Sequence, residues 1–220
     1  AASWTLEAVA AVERPHHSSV SPDGRRVAVF VDRDTTDLWT LSSSGGRTAR
    51  LTTGRHPTAY WEDAAPAWSP DGTRLAYGDR GRLSVVPAAG GPPQTLMEAG
   101  AEAWLEDGRL LVTVERDEVT RLAVCAAQDP WPRALTPPSF SAGPATAVPG
   151  RPVVVSEGHP PDDFDRSDLW AVDLQGGEMR RLCGARGRRD HSPAVDPAGR
   201  VVAYASARDD WDQLCLIGLD

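Results

Sequence analysis

The sequence Ser21, Pro22, Asp23, Gly24 returns as Ser69, Pro70, Asp71, Gly72, and each copy is followed within two residues by Arg and a short apolar run. Weaker copies stand at Glu106, Asp107, Gly108, at Pro149, Gly150, Arg151, and at Asp196, Pro197, Ala198, Gly199, Arg200. Aligned on Gly24, Gly72, Gly108, Gly150 and Gly199, the copies are 48, 36, 42 and 49 residues apart, a mean near 44. A period of this length marks a supersecondary unit that cannot bury its apolar face alone and must stack on its neighbours.

Each unit reads as four short apolar segments separated by turn residues. The first runs into the glycine turn: Ser18 to Ser21, Pro66 to Ser69, Glu102 to Leu105, Ala145 to Val148, and Pro193 to Asp196. The second follows at once, as Arg26 to Val31, Arg74 to Tyr77, Leu110 to Val114, Pro152 to Ser156 and Val201 to Ser206. These runs are rich in Val, Ala and Tyr and too short for helices, so they read as buried strands joined by a tight Asp-Gly hairpin. The third follows a polar, acidic link: Asp37 to Leu41, Leu83 to Val86, Leu122 to Cys125, Asp168 to Leu174, and Leu214 to Leu219. A Gly-Gly turn comes next at Gly45 and Gly46, Gly90 and Gly91, and Gly176 and Gly177, with Asp129 and Pro130 in its place in the third unit. The fourth segment carries Leu51, Leu96, Leu135 or Leu182.

Four strands per unit at this period predict an all-β chain, a β-propeller of four-stranded antiparallel blades with about five blades present and the last incomplete. The blades fall at about 17–57, 64–100, 101–138, 143–185 and 190–220, behind an N-terminal extension, 1–16. Within that extension Leu6 and Val9, three apart, suggest a helical turn or two. After Leu219 the repeat calls for a Gly-Gly turn and an Arg-x-Leu-Thr strand that the fifth unit lacks, so a longer parent propeller is the expectation.

Composition bears on function chiefly by exclusion. With a formal charge of −8 and a pI near 5.1, the chain lacks the clustered cationic excess that nucleic-acid binding requires. No segment approaches the ~18 apolar residues of a membrane span, and neither a basic leader nor an apolar signal core precedes Val12. The basic side chains apart from His are all Arg, Lys and Asn are absent, and Ile217 is the one isoleucine, which suggests a GC-rich, bacterial coding sequence. Cys125, Cys183 and Cys215 have no metal-ligand spacing; they read as small buried hydrophobes and favour a reducing, cytoplasmic setting.

The stretch from Pro66 through Trp68, Ser69, Pro70, Asp71, Gly72 to Tyr77 resembles the recurring unit of the propellers in TolB and in prolyl oligopeptidase family serine peptidases, a group that includes acylaminoacyl peptidases and dipeptidyl aminopeptidases. Ser167 to Leu174, with Gly176, Gly177, Arg181 and Leu182 behind it, resembles them too, and so does Leu6 to Val9 followed by Arg14, Pro15 and Val20 to Gly24. In those peptidases the propeller covers an α/β-hydrolase domain holding a Ser, Asp, His triad. The resemblance implies such a domain in the same polypeptide as partner, and a short peptide in transit as the ligand. No Gly-x-Ser-x-Gly occurs in these 220 residues, so no catalytic residue is carried over, and no cofactor or metal is expected.

Other candidates have simpler explanations. His16 and His17 read as preceding the first strand, His56 and His159 as lying in links, and His191 as opening the last unit, all without ligand spacing. Asp163, Asp165 and Ser167 alternate as an EF-hand loop begins, yet Asp168 stands where Gly is needed and Leu174 where a bidentate Glu is needed, which favours a solvated loop. The recurrent acidic links Arg33, Asp34, Asp37 and Arg208, Asp209, Asp210, Asp212 read the same way. Trp39 and Trp170 share one place in the repeat and Trp68 and Trp104 another, as packing residues should. Trp61, Trp131 and Trp211 fall outside the pattern, so an exposed member of these is the candidate for gripping a peptide or sugar. The innermost strands offer Ser18, Ser19, Ala65, Ala67, Glu102, Ala145, Thr146 and Ala194, poor material for catalysis in a channel. Two functions remain open: the non-catalytic propeller portion of a serine peptidase, gating short peptides, and a TolB-like protein-interaction module.

Overall fold

A computed structural model describes residues 14–32, 35–45, 48–53, 64–79, 81–163, 166–185, 187–208 and 211–219. The described residues form strands and no helix, and the chain is a five-bladed β-propeller. Blade 1 is β1 (Arg14–Val20), β2 (Arg26–Asp32), β3 (Thr36–Ser42) and β4 (Thr48–Arg50). Blade 2 is β5 (Ala67–Trp68), β6 (Arg74–Asp79), β7 (Arg82–Pro87) and β8 (Gln94–Glu98). Blade 3 is β9 (Gly100–Trp104), β10 (Arg109–Arg116), β11 (Val119–Ala126) and β12 (Asp129–Ala134). Blade 4 is β13 (Ser141–Ala147), β14 (Val153–His159), β15 (Asp168–Asp173) and β16 (Met179–Cys183). Blade 5 has three strands, β17 (Arg189–Val195), β18 (Val201–Arg208) and β19 (Trp211–Gly218). Every sheet is an antiparallel meander in chain order. The chain divides into two compact units, 1–101 and 102–220.

The repeated turn has a physical explanation. In the first copy the Gly24 amide donates to the Ser21 carbonyl (2.8 Å), the Ser21 hydroxyl donates to Asp23 Oδ1 (2.6 Å), and the Arg26 amide donates to Ser21 Oγ (2.9 Å). Gly24 has φ +70°, a conformation that costs an L side chain strain and glycine almost none. Ser69, Asp71, Gly72 and Arg74 repeat this network. In the fifth unit Asp196 alone serves both roles, its Oδ1 accepting from the amides of Arg200 (2.6 Å) and Val201 (2.7 Å). The fourth copy differs. Arg151 N–H donates to Val148 O (3.2 Å) and Gly150 has φ +69°, so Pro149 and Gly150 occupy the corner positions of a type II turn and Gly150 sits one place earlier than the other glycines.

Three sequence readings are corrected. Asp129 and Pro130 belong to β12, where Asp129 pairs with Ala126, and the turn before them is Ala127 and Gln128. Strand β1 starts at Arg14, so His16 and His17 lie within it; the expected helix before it falls on residues outside those described. Likewise β17 starts at Arg189 and brings Asp190 and His191 into a first strand. The last two shifts share a cause. The first strands of blades 1, 4 and 5 are irregular, with register breaks between His16 and Ser19, Ala142 and Ala145, and His191 and Ala194. A bulge interrupts the alternation that sequence reading relies on.

Cores form where successive blades meet within a unit. In the first unit Phe30, Leu38 and Leu51 of blade 1 pack with Trp68, Leu75, Tyr77 and Val86 of blade 2. In the second, Leu111, Leu122 and Leu135 pack with Phe140, Ala142 and Val154, and Val155 and Leu169 with Val202, Tyr204 and Leu219. Arginines bridge the same seams. Arg26 donates to the carbonyls of Gly72 (2.6 Å) and Ala88 (3.5 Å) and lies 4.8 Å from the centre of the Trp68 ring. Arg133 donates to the carbonyls of Leu174 and Gln175, and Arg180 to that of Leu219 (3.3 Å). Leu174, Ala88 and Leu219 share one place just after a third strand, so a guanidinium from one blade grips the same carbonyl of the next.

Candidate functional site

The acidic residue that opens a third strand is a structural latch. Asp37, nearly fully buried, accepts from Thr52 Oγ1 (3.2 Å), Thr35 Oγ1 (2.9 Å) and Arg50 Nη2. Asp168 is held by Arg166 (2.6 Å) and Arg181 (3.1 Å). These carboxylates are therefore not part of a solvated link; each ties the loop and the fourth strand to the third. Blade 3 reverses the polarity: Arg121 reaches across to the Thr136 carbonyl (2.6 Å and 2.9 Å). Asp34, Arg33, Asp165, Asp209 and Asp210 lie outside the described residues.

The second unit gathers a different set near its first strands. Glu102, on β9, accepts from Thr113 Oγ1 (3.1 Å) and from the Ala145 amide (3.1 Å) of the next blade. Glu157, on β14, accepts from the Ser192 amide (2.6 Å), again one blade on. Glu106 does the same for the Gly150 amide (2.9 Å). Burial raises the carboxyl pKa of Glu102, and the charge of Glu157 adds to the rise; burial also raises Glu157. Neither Glu102 nor Glu157 has a cation within salt-bridge distance among the described residues.

His191, Ser192 and Asp212 stand beside this pair. His191 Nδ1 is 3.1 Å from Ser192 Oγ, and its Nε2 is 3.2 Å from Asp212 Oδ1. The composition is that of a hydrolase triad, but the construction is not. Asp212 is 58% exposed, so its charge is screened by water. More decisively, the Ser192 amide, which would have to face a developing oxyanion, already serves the Glu157 carboxylate, and a carboxylate there opposes the charge such a site must stabilise. Ser192 has φ +55°, and His17, one residue past the equivalent His16 of blade 1, has φ +48°. His16 has its own acid, Asp32, at 3.0 Å. A His-Asp pair beside a first-strand bulge thus occurs in blades 1 and 5, with the acid drawn from the second strand in one and from the third in the other. Glu102 is legible in the sequence as an innermost-strand residue, whereas Glu157 is not. The available signal was its register: Glu157 sits opposite Leu169, where Phe30, Thr113 and Ala205 sit opposite the corresponding leucines.

A cavity of about 320 Å³ opens beside blade 4, bounded by Pro137, Phe140, His159, Arg166 and Asp168, with Trp170 in its lining. Phe140 meets Trp170 edge-on, centroids 5.5 Å apart, and covers Gly158, where a Cβ would come within 1.8 Å of the ring. Of the unpatterned tryptophans, Trp131 (82%) and Trp211 (77%) are exposed, while Trp61 lies outside the described residues. Cys125 and Cys183 are buried enough that their thiols are pushed up to about 11, which keeps them protonated and unreactive at neutral pH. Cys183 holds the latch position of Thr52 and Thr136, and the Leu169 amide donates to it. No cluster of three or more His, Cys, Asp or Glu suited to a metal ion, and no helix long and apolar enough to cross a membrane, occurs among the described residues.

Solved structures resemble the whole of this arrangement. A TolB-type protein from Agrobacterium tumefaciens superposes with a TM-score of 0.73 at 17% identity, covering 94% of this chain and 78% of that one. A prolyl endopeptidase gives 0.69 at 14% identity, covering 94% and 34%. A puromycin-hydrolysing peptidase from Mycobacterium tuberculosis gives 0.70 at 18% identity, covering 94% and 37%. The fold is that of the TolB and prolyl oligopeptidase propellers. The chain spans about a third of the length of the two peptidases. No protein-family profile and no curated protein matches the sequence.

Proposed function

We propose that this chain is the non-catalytic propeller portion of a serine peptidase, which gates the access of short peptides to an α/β-hydrolase domain of the same polypeptide. The observation that carries the reading is how the polar side chains are used. Glu102, Glu106, Glu157, Asp37 and Asp168, the groups best placed to do chemistry, are engaged in joining strand to strand and blade to blade. What such a chain offers is a rigid, sterically defined body rather than a reactive centre. The likeness to peptidase propellers over 94% of its length supports the same role.

The test uses a polypeptide in which residues 1–220 precede a hydrolase domain. Deleting them should let the hydrolase cleave folded or long substrates that the intact protein spares, with short chromogenic peptides still hydrolysed. Unchanged size selectivity after deletion would refute the gating role. The similarity to TolB supports a second reading, a propeller that docks a protein partner. Under that reading the 220-residue chain alone would retain a saturable protein ligand, and no hydrolase would be needed.

A further inference from the structure

The seam between blades 1 and 2 follows the plan of the seams in the second unit and departs from it at one pair of positions. Two residues past Leu122, Val124 pairs with Arg133 of the fourth strand; two past Leu169, Ala171 pairs with Arg180. Each of these arginines crosses its seam to the next blade, Arg133 to the carbonyls of Leu174 and Gln175 and Arg180 to that of Leu219. Two residues past Leu38 stands Thr40, and its partner is Ala49. Alanine cannot cross the seam. The carbonyl contact comes instead from the second strand, where Arg26 reaches Gly72 (2.6 Å) and, at the limit of bonding distance, Ala88 (3.5 Å).

With a methyl group where the other seams have an arginine stem, a slot of about 310 Å³ lies between blade 1 and Ala88 and Ala89 of blade 2. Register decides what faces it. Ala28, in the core shared with blade 2, pairs with Thr40, and Arg26 pairs with Ser42, so Arg26, Thr40, Ser42 and Ala49 share the face turned to blade 2. Arg25 and Arg26 both line the slot, and no carboxylate does among the described residues, in a chain of formal charge −8. Asp23 in the adjoining turn feels both guanidiniums, but it already accepts from the Ser21 hydroxyl (2.6 Å) and the Arg25 amide (3.1 Å). The Arg26 guanidinium is fixed by its two carbonyls and by the Trp68 ring, which leaves it further N–H donors in a set position. Thr40 is 6% exposed, and its hydroxyl makes no hydrogen bond among the described residues. A hydroxyl is costly to bury without a partner, and the other seams put Val124 and Ala171 at this place.

We propose that this slot binds a small organic carboxylate, held by the guanidiniums of Arg25 and Arg26 and by the Thr40 hydroxyl, with a short aliphatic body against Ala49, Ala88 and Ala89. A planar carboxylate matches the fork of a guanidinium and accepts from a hydroxyl at the same time. The volume stands at the lower end of small-molecule sites and exceeds what a bare oxyanion fills. The alanine walls add apolar contact that an inorganic ion cannot use.

The test is a chemical-shift titration of the 220-residue chain by NMR with pentanoate, pentanamide, acetate and inorganic phosphate at matched ionic strength. Pentanoate should bind saturably and one to one, shifting the amides of Arg25, Arg26, Thr40, Ala49, Ala88 and Ala89. Pentanamide keeps the shape without the charge and should bind at least about tenfold more weakly. Acetate should also lose about tenfold, through the missing methylenes. Ala49→Arg, at an exposed position of β4, gives blade 1 the arginine that blades 3 and 4 carry; it should abolish pentanoate binding and leave the urea midpoint level or higher. Arg25→Gln, also at an exposed position, should weaken binding about fivefold or more. The comparison among ligands uses the unaltered chain, so it does not depend on the folding of any variant. Absence of saturation, equal binding of pentanamide, tighter binding of phosphate than of pentanoate, shifts away from the slot, or undiminished binding by a folded Ala49→Arg chain overturns the proposal.

Discussion

The contrast between Leu169 and Leu214 permits a quantitative test of how blades are stabilised. Both hold the same register place in adjacent blades of one compact unit, Leu169 opposite Glu157 and Leu214 opposite Ala205. Leu169 is fully buried and packs with Val155, Val202, Tyr204 and Leu219; Leu214 is 82% exposed. Leu169→Ala removes buried methyl groups and leaves a void between two sheets that cannot close freely, a cost of about 3 kcal/mol. For Leu214→Ala roughly a fifth of the transfer free energy is at stake, about 0.4 kcal/mol. With a urea m-value of about 2 kcal/mol/M, the unfolding midpoint should drop by about 1.5 M for the first substitution and about 0.2 M for the second. The assay is urea denaturation followed by tryptophan fluorescence and far-UV circular dichroism, the coincidence of the two probes testing two-state behaviour. Equal shifts would refute the reasoning, because they would mean that the stability of these leucines comes from β-propensity of the strand and not from the neighbouring blade. A large shift for Leu214 alone would refute it as well.

Other expectations concern the polar contacts. Burial raises the folded-state pKa of Glu102 and Glu157 above the unfolded value, so the stability linked to them is fully present below the unfolded carboxyl range and is lost as pH rises through the folded values. Glu102→Gln keeps an acceptor for the Ala145 amide; it should flatten the decline in urea midpoint between acidic and neutral pH and leave the protein at least as stable at pH 7. A midpoint that falls at every pH would contradict this. Asp168→Asn deprives Arg166 and Arg181 of their shared carboxylate and should cost about 1–2 kcal/mol, less than a fully buried pair because both guanidiniums reach solvent, as read from the unfolding midpoint. Gly158→Ala drives a Cβ into the Phe140 ring and should cost about 2 kcal/mol or more, with loss of the near-UV signal of the Phe140–Trp170 contact. Cys125 and Cys183, with thiols near 11, should resist iodoacetamide at pH 8 in the native chain and react fully in urea, as counted by mass spectrometry.

Much of the fold was legible in the sequence because the turn chemistry is local. Ser21, Asp23 and Gly24 close their hairpin with bonds that span five residues or fewer, so the residues that form the turn also announce it. The same locality misled at Gly150 and at Asp129. A type II turn places its glycine one position earlier than the other units do, and Ala127 with Gln128 turns the chain without any turn-forming residue type. The role of the third-strand aspartates was harder to see. Asp37 and Asp168 sit in polar links that read as solvated, and only the arrival of Arg50 and Arg181 from the fourth strand, thirteen residues on, makes them buried latches.

The sequence by itself determined the number of repeats and the strands that each hairpin joins, since these depend on backbone conformations and alternation within a few residues. Only the tertiary structure decided burial and juxtaposition. Leu38, Leu122, Leu169 and Leu214 are interchangeable in local sequence, yet three are fully enclosed and one is open, because the fourth strand and the following blade, not the leucine, remove it from water. Glu157 and Ser192 meet for the same reason: 35 residues apart, they are brought to 2.6 Å by the packing of one blade on the next, a distance that no periodicity in the chain encodes.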